Sequence, residues 1–265
     1  LKPDLAHLRL FHTFPRPCPY LPGRDSRFLV VDPKQALDDP LYAALLALGF
    51  RRSGREIYRP ACEGCRACVP IRIPVERFSP RRSQRRIWNR YRPITTTTDL
   101  PAQLHEEHFA LYVKYLERRH PEGEMAAHTR EEYLGFLAGG WSDTRFVEFR
   151  QEQELLAVAV TDTTPAGLSA VYTFFDPDRA HGSPGVFSIL WQIEAARRRK
   201  LPWLYLGFWI PGCRKMEYKQ DYRPLQLLSE EGWQEFPPDA PLTGPWESPR
   251  RSPDSRPDDP QMHRG

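Results

Sequence analysis

Asp and Glu are missing from Arg77 through Thr98, a stretch that holds seven arginines: Arg77, Arg81, Arg82, Arg85, Arg86, Arg90 and Arg92. The whole chain has a net charge of only +4. This one block therefore exceeds the total, and a local charge of that kind says more about partners than the overall balance does. Long apolar runs are missing as well. The longest helical one, LYAALLALGF at 41–50, is half of the roughly 20 residues that a membrane span needs. The first residues, LKPDLAHLRLF, hold no apolar core followed by a small-residue cleavage site, so no export signal is expected. An even cysteine count is lacking too. Five cysteines, three of them within seven residues, do not make a disulfide framework, and a reducing, cytoplasmic setting is expected. No Ser–His–Asp arrangement, HExxH or Walker loop stands out, and there is no internal repeat.

What is there describes a globular chain of 265 residues, 40% apolar and 12% aromatic, with 28 prolines. RFLVV at 27–31, REIYR at 55–59 and VPIRI at 69–73 read as strands. Asp39 with Pro40 behind it reads as the start of a helix that Gly49 ends. Ser79-Pro80 is the expected start of a basic helix running to about Tyr91, which Pro93 stops. TTTTD at 95–99 reads as a polar linker. A helical stripe then covers Leu104 to Arg119, and Thr129 with Glu132 forms a capping box. RFVEFR, LLAVAVTDT and LSAVYTFF suggest an antiparallel meander. VFSILWQIEAARRRK at 186–200 is a helix with a basic last turn, and WLYLGF at 203–208 is a strand apolar enough to be central. Strands followed by a helix that delivers the chain to a neighbouring strand suggest an α/β (α+β) fold of N-acetyltransferase-like type. The expected parts are a smaller cysteine-containing, basic region at 1–95, the acetyltransferase-like domain at 96–236, and a disordered tail at 237–265, where eight prolines fall.

Several groups of residues could carry chemistry. Cys62, Cys65 and Cys68 put three thiols on one turn, with Gly64 at the bend and Cys18 as a fourth candidate. That spacing suits zinc or an iron–sulfur cluster, or simply thiols packed in a turn. The arginine block, interleaved with Phe78, Trp88 and Tyr91, suits phosphate contacts and stacking on unpaired bases. The other reading is a solvated basic helix. HGSPGV before the helix at 186 could bind an anion or merely start a helix. Lys215 and Lys219 share a helical face beside a strand end and could receive an acidic group, or lie on a solvated turn. Arg119 and His120 precede a Pro-Glu-Gly turn and are either catalytic or structural.

At these residues the chain resembles the bacterial aspartate/glutamate leucyltransferases, relatives of the eukaryotic arginyl-tRNA–protein transferases. The matching stretches are CPYLPGRDSRFLVVDP, YRPACEGCRACVPIRIPVERFSPRRSQRR, LLAVAVTDTTPAGLSAVYTFFDP and LPWLYLGFWIPGCRKMEYKQDYRP. The run HGSPG at 181–185 and the PEGEM turn at 121–125 depart from the family pattern.

The resemblance implies a cytoplasmic enzyme of the N-degron (N-end rule) pathway. It would move leucine from leucyl-tRNA to the N-terminal Asp or Glu of acceptor proteins, with no cofactor required. It would need no covalent enzyme intermediate. Within it, Tyr172, Asp162 and Glu194 are the polar candidates for a proton relay. Lys215, Lys219, Arg72 and Arg119 are candidates for the acceptor's carboxylate, and Arg77, Arg81, Arg82, Arg85, Arg86 and Arg90 for the tRNA. Two other functions fit the residues: a coenzyme A-dependent N-acetyltransferase, and a non-catalytic RNA-binding protein with a cysteine-held metal.

Overall fold

The computed structural model describes residue 5 and residues 7–119 and 127–242. The chain opens with β1 (Leu10–His12), β2 (Arg16–Pro17), β3 (Asp25–Ser26) and β4 (Phe28–Val31). Helix α1 (Asp39–Ala47) follows, then β5 (Arg51–Ser53) and β6 (Glu56–Pro60). Strands β1, β4, β6 and β5 form one small antiparallel sheet in that order. The cap of α1 is Asp38, one residue before the one expected, and its carboxylate accepts from the Leu41 amide at 2.9 Å. Gly49, at φ +83°, takes the left-handed conformation that ends the helix.

Past the cysteine turn come β7 (Val69–Pro74), the basic helix α2 (Arg82–Tyr91), β8 (Thr96–Pro101), α3 (Glu106–Arg119) and α4 (Arg130–Leu137). Then follow β9 (Asp143–Gln151), β10 (Glu154–Thr164), β11 (Gly167–Phe175), α5 (Pro184–Arg198), β12 (Trp203–Trp209), the short α6 (Arg214–Glu217), β13 (Leu225–Ser229) and β14 (Gly232–Phe236). The eight strands from β7 onward make one sheet, in the order β14-β13-β7-β12-β11-β10-β9-β8. Only β11 and β12 run parallel, because α5 returns the chain between them. This is the α+β arrangement expected.

Three details differ from the sequence reading. The four threonines at 95–98 do not make a linker: Thr96–Pro101 is the edge strand β8, paired with β9. β-branched residues suit a strand. Asp99 then ties that edge down, to Arg145 at 2.7 Å and Arg199 at 2.8 Å. Second, β13 and β14 form a hairpin where only a short apolar piece was expected. Third, β7 lies in the middle of the large sheet, between β13 and β12. Ile71 and Ile73, both fully buried, pack with Leu204, Leu225 and Leu227. The sheet therefore crosses the boundary expected at residue 95.

Helices cover both faces. Helix α5 packs Ile189, Leu190 and Ile193 on one face, and α2 lies against α5 through Trp88, Tyr91 and Phe187. Helices α3 and α4 pack Leu111, Tyr112, Leu116, Tyr133 and Leu137 against the meander on the other. The α4 capping box is formed as expected: the Glu132 amide donates to Thr129 Oγ1 at 3.2 Å, and the Thr129 amide to Glu132 Oε2 at 2.8 Å. Among the described residues no helix is long and apolar enough to cross a membrane. The expectation of a disordered tail falls, from 243 onward, outside the described residues, as does the expectation of a Pro-Glu-Gly turn, since residues 120–126 are not described.

Candidate active site

Strands β11 and β12 are paired only at Leu168–Leu204 and Ser169–Tyr205. Beyond that they part. The pairing of β12 with β7 shifts between Tyr205 and Phe208, and Gly207 between them has φ +82°. An irregularity of this kind bends the strand away from its neighbour. The carboxyl ends of parallel strands that separate are where α/β sheets open a cleft for ligands.

The β11 side of this opening is aromatic. Tyr172 packs against Tyr112, Phe136 and Phe174, and Tyr115 meets Phe175 edge-on at 5.0 Å. Burial, with Tyr115 and Tyr112 as further neighbours, raises the Tyr172 phenol above its ordinary range. Tyr172 is thus a proton donor, not a base, at neutral pH. Exposed Arg119 lies 5.9 Å over the Phe175 ring.

The β12 side is cationic. Lys219 reaches back from the turn after α6 and donates to the Phe208 carbonyl at 2.7 Å. Its Nζ lies 3.3 Å from where a side chain on Gly207 would begin. Nζ thus lies against the β12 backbone at Gly207 and Phe208. Burial, reinforced by the charge of Arg51, lowers its pKa to about 7. Arg51 itself is buried between Tyr205 and Phe208 and donates to the carbonyls of Phe50, Ile71 and Gly207. Burial brings its pKa down to about 10. Neither cation has a carboxylate partner among the described residues, and Arg51 Nε has no partner at all. Two buried positive charges without a counter-charge are costly unless the site is built to receive a negative group.

The expected relay residues do not come together. Asp162 is fully buried on β10 and is gripped by Arg52 at 2.6 and 2.7 Å, with Tyr42 and Thr144 also donating to it. It joins β5 to the large sheet and cannot reach a substrate. Glu194 is on α5, on the other face of the sheet, paired with Arg197 at 2.9 Å. Tyr172 alone borders the opening. Of the acceptor candidates, Lys219 is buried against β12 and Lys215 is exposed on α6. Arg72 is committed elsewhere: its guanidinium is sandwiched between Trp203 at 3.8 Å and Trp233 at 4.2 Å and bonds Gln226 at 2.8 Å. Arg51 was missed, because nothing in its local sequence marks it as buried without an acid.

The arginine block divides in the same way. Arg77 is paired with Glu235 and Arg81 with Asp221, each bidentate, and Arg85 turns back to the Pro80 carbonyl at 2.6 Å. Arg82, Arg86, Arg90 and Arg92 are exposed, with no acid partner among the described residues. Phe78 and Tyr91, expected as stacking platforms, are buried in the core, and only Trp88 stays half-open. The helix begins at Arg82, two residues later than Pro80 suggests, with the Arg81 amide donating to Gln84 at 2.9 Å.

The cysteine turn sits behind the opening. Cys65 and Cys68 pack with Phe208, Ile210 and Cys213. Burial and the neighbouring thiols push Cys68 up to about 12. Cys62 Sγ accepts from the Arg27 amide, and Cys65 Sγ from Arg24, each at 3.4 Å. Among the described residues no three of His, Cys, Asp or Glu are placed to hold a metal ion.

Known proteins match this sequence along most of its length. Residues 16–86 match the N terminus, and residues 107–229 the C terminus, of the arginine-tRNA-protein transferases. The aspartate/glutamate leucyltransferase of Hahella chejuensis is 48% identical over 230 residues, which are 87% of this chain and 98% of that one. Its namesake from Saccharophagus degradans is 46% identical over 88% of this chain and 99% of that protein. That from Chromohalobacter salexigens is 49% identical over 85% and 92%. Solved structures are more distant: L-PGS from Bacillus licheniformis shares 13% identity over 63% of this chain and 48% of that one, at a TM-score of 0.43, too low to bear on function. Sequence relatedness over nearly the whole described chain decides the matter: the chain belongs to the aspartate/glutamate leucyltransferases, within the arginine-tRNA-protein transferase family.

Proposed function

We infer that the protein moves leucine from leucyl-tRNA to the α-amino group of proteins whose N-terminal residue is Asp or Glu, in the cytoplasm, so marking them for degradation. The structural observation that carries this reading is the pair of buried cations, Arg51 and Lys219, held on the carbonyls of β12 without a carboxylate partner among the described residues. An acidic N-terminal side chain would supply the missing negative charge.

The chemistry asks little of the protein. The neutral α-amine nitrogen attacks the ester carbonyl carbon, the bond from that carbon to the ribose oxygen breaks, and a peptide bond forms. The amine gives up a proton and the ribose oxygen takes one. An α-amino group titrates at about 7.7–8.0, so a useful fraction is neutral near pH 7 without a strong base. Positioning and a donor for the developing oxyanion account for most of the required acceleration. Lys219, with the field of Arg51 behind it, holds the acceptor's carboxylate, and exposed Lys215 and Arg119 draw the acidic peptide toward it. The Tyr172 phenol, protonated at neutral pH, stands on the wall where the ester oxygen would sit. The exposed arginines of α2 hold the tRNA.

A transfer assay tests this reading. Separately charged leucyl- and arginyl-tRNA are offered to peptides beginning with Asp, Glu, Lys or Ala. Transfer of leucine to the two acidic peptides only is the expected result. Acetylation of any of these peptides from acetyl coenzyme A, with no transfer from tRNA, would replace the reading with the acetyltransferase one.

A further inference from the structure

The groove between α2 and α5 belongs neither to the opening at β11 and β12 nor to the cysteine turn. It has a volume of about 440 Å³, and its floor includes buried Phe78 and Phe187. Trp88 and Trp191 form its half-buried walls, and neither indole N–H has a hydrogen-bond partner among the described residues. Arg92 and Arg198 stand exposed on its rim without acid partners there. The one carboxylate in the wall, Glu194, is already neutralised by Arg197 at 2.9 Å. Thr95, in the same wall, has its hydroxyl oxygen shut away with no partner. The groove is thus aromatic inside, positive at its edge, and short of polar partners.

We propose that this groove receives an unpaired nucleotide of the RNA, in the single-stranded 3′ stretch that carries the ester, with its base on the indoles of Trp88 and Trp191 and its phosphate among Arg92 and Arg198. The proposal rests on the leucyl-tRNA reading and adds a site to it. Paired bases in a stem are stacked on one another and offer no free face; only an unpaired base can lie on an indole. The volume lies within the range of small-ligand sites. The position follows from the route of the strand. Arg82, Arg86 and Arg90 on α2 hold phosphates of the stem, while the ester must reach the parted ends of β11 and β12. The C-terminal end of α2 meets the start of α5 at Tyr91 and Phe187, so RNA crossing from one to the other passes along the groove.

The test uses the whole protein and two uncharged acceptor-stem hairpins, one with its single-stranded 3′ end and one blunt, at one fixed salt concentration. The hairpin with the overhang should bind about tenfold tighter, since a stacked base contributes that order of affinity. Trp191→Ala should remove most of this difference while leaving the blunt hairpin's affinity unchanged, and Trp191→Phe should restore part of it. Arg198→Glu, a change at an exposed position that the fold tolerates, should weaken the overhang hairpin more than the blunt one. 2-Aminopurine placed in the overhang should lose fluorescence on binding. Equal affinities of the two hairpins for the unaltered protein, or equal losses for both in Trp191→Ala and Arg198→Glu, would overturn the proposal. An apolar peptide occupying the groove in place of RNA gives that same result. Leucine transfer to acidic peptides, measured alongside, keeps the two questions apart: transfer without a hairpin difference sinks this site alone, and absence of transfer sinks the reading beneath it.

Discussion

Arg52 holds both oxygens of Asp162, Nε to Oδ2 at 2.6 Å and Nη2 to Oδ1 at 2.7 Å, with both side chains fully buried. The pair links β5, in the small sheet, to β10, in the large one. Removing one partner of such a pair leaves an uncompensated buried charge, at a cost of about 3–5 kcal/mol. Arg52→Ala or Asp162→Ala should therefore lower the melting temperature by on the order of 10 °C. Replacing both with apolar residues of similar volume should recover much of that loss together with transfer activity. A double variant that is stable yet inactive would return Asp162 to the catalytic candidates.

If Lys219 holds the acceptor's carboxylate, as proposed, acceptor recognition should depend on pH. With a pKa of about 7, it is a cation below that value and neutral above it. Competitive inhibition by an N-blocked aspartyl peptide, which has no α-amine of its own to titrate, should be tightest below pH 7 and weaken as pH rises through it. Lys219→Met should bind weakly at every pH, with transfer from leucyl-tRNA reduced through KM for the peptide and its affinity for tRNA intact. The same group affects stability. Between about 7 and its ordinary value of 10.5, the unfolded chain binds a proton that the folded one does not. Stability should then rise with pH across that window, and Lys219→Met should flatten the rise.

Only part of the arginine block is free for tRNA. Because Arg77 and Arg81 are paired with Glu235 and Asp221, reversing Arg82, Arg86 and Arg90 should do most of the damage. Each lost phosphate contact should reduce the slope of log affinity against log salt by about 0.7–0.9. Arg77→Ala should change that slope little. A salt titration of tRNA binding reads both.

Acid should loosen the α3–β9 contact at a defined point. Hydrogen bonds from Arg150, and then from His108 at 2.6 Å, hold the Glu148 pKa down to about 2, from an ordinary 4.5. Burial lowers the His108 pKa, so the ring is neutral at pH 7 and donates Nε2–H to that carboxylate. The stability from Glu148 is complete above about 4.5 and is lost as pH falls toward about 2. Glu148→Gln should remove that part of the acid dependence in denaturant titrations between pH 5 and 2.

Gly182 is fixed by its neighbour. The Tyr91 hydroxyl fills the place where a side chain at 182 would begin, and Tyr91 is itself buried. Gly182→Ala should cost about 1–3 kcal/mol by overpacking, and Tyr91→Phe in the same chain should relieve it. Thermal melts of the single and double variants decide this.

Much of the fold was legible because it is local. Alternating apolar residues mark β9 to β12, Thr129 and Glu132 announce α4, and the missing acids between Arg77 and Thr98 announce a basic helix. Thr96–Pro101 was misread because a polar, β-branched run serves equally as linker and as edge strand, and only the partner β9 distinguishes them. That β7 pairs with β12 was not legible, because strand pairing across more than 100 residues leaves no trace in spacing.

The sequence by itself determined the element types, the cysteine turn, the positive helix and, through its long stretches of resemblance, the family. The tertiary structure decided which charges are spent and which are free. Asp162, Arg72, Arg77 and Arg81 look like site residues in sequence, but each is satisfied by a partner at least 110 positions away. Arg51 looks ordinary and Lys219 is one of four candidates for the acceptor's carboxylate, and folding leaves both buried on the carbonyls of β12, without an acid partner among the described residues. A charge becomes functional or structural according to what desolvates it and what pairs with it, and both are set by residues far along the chain.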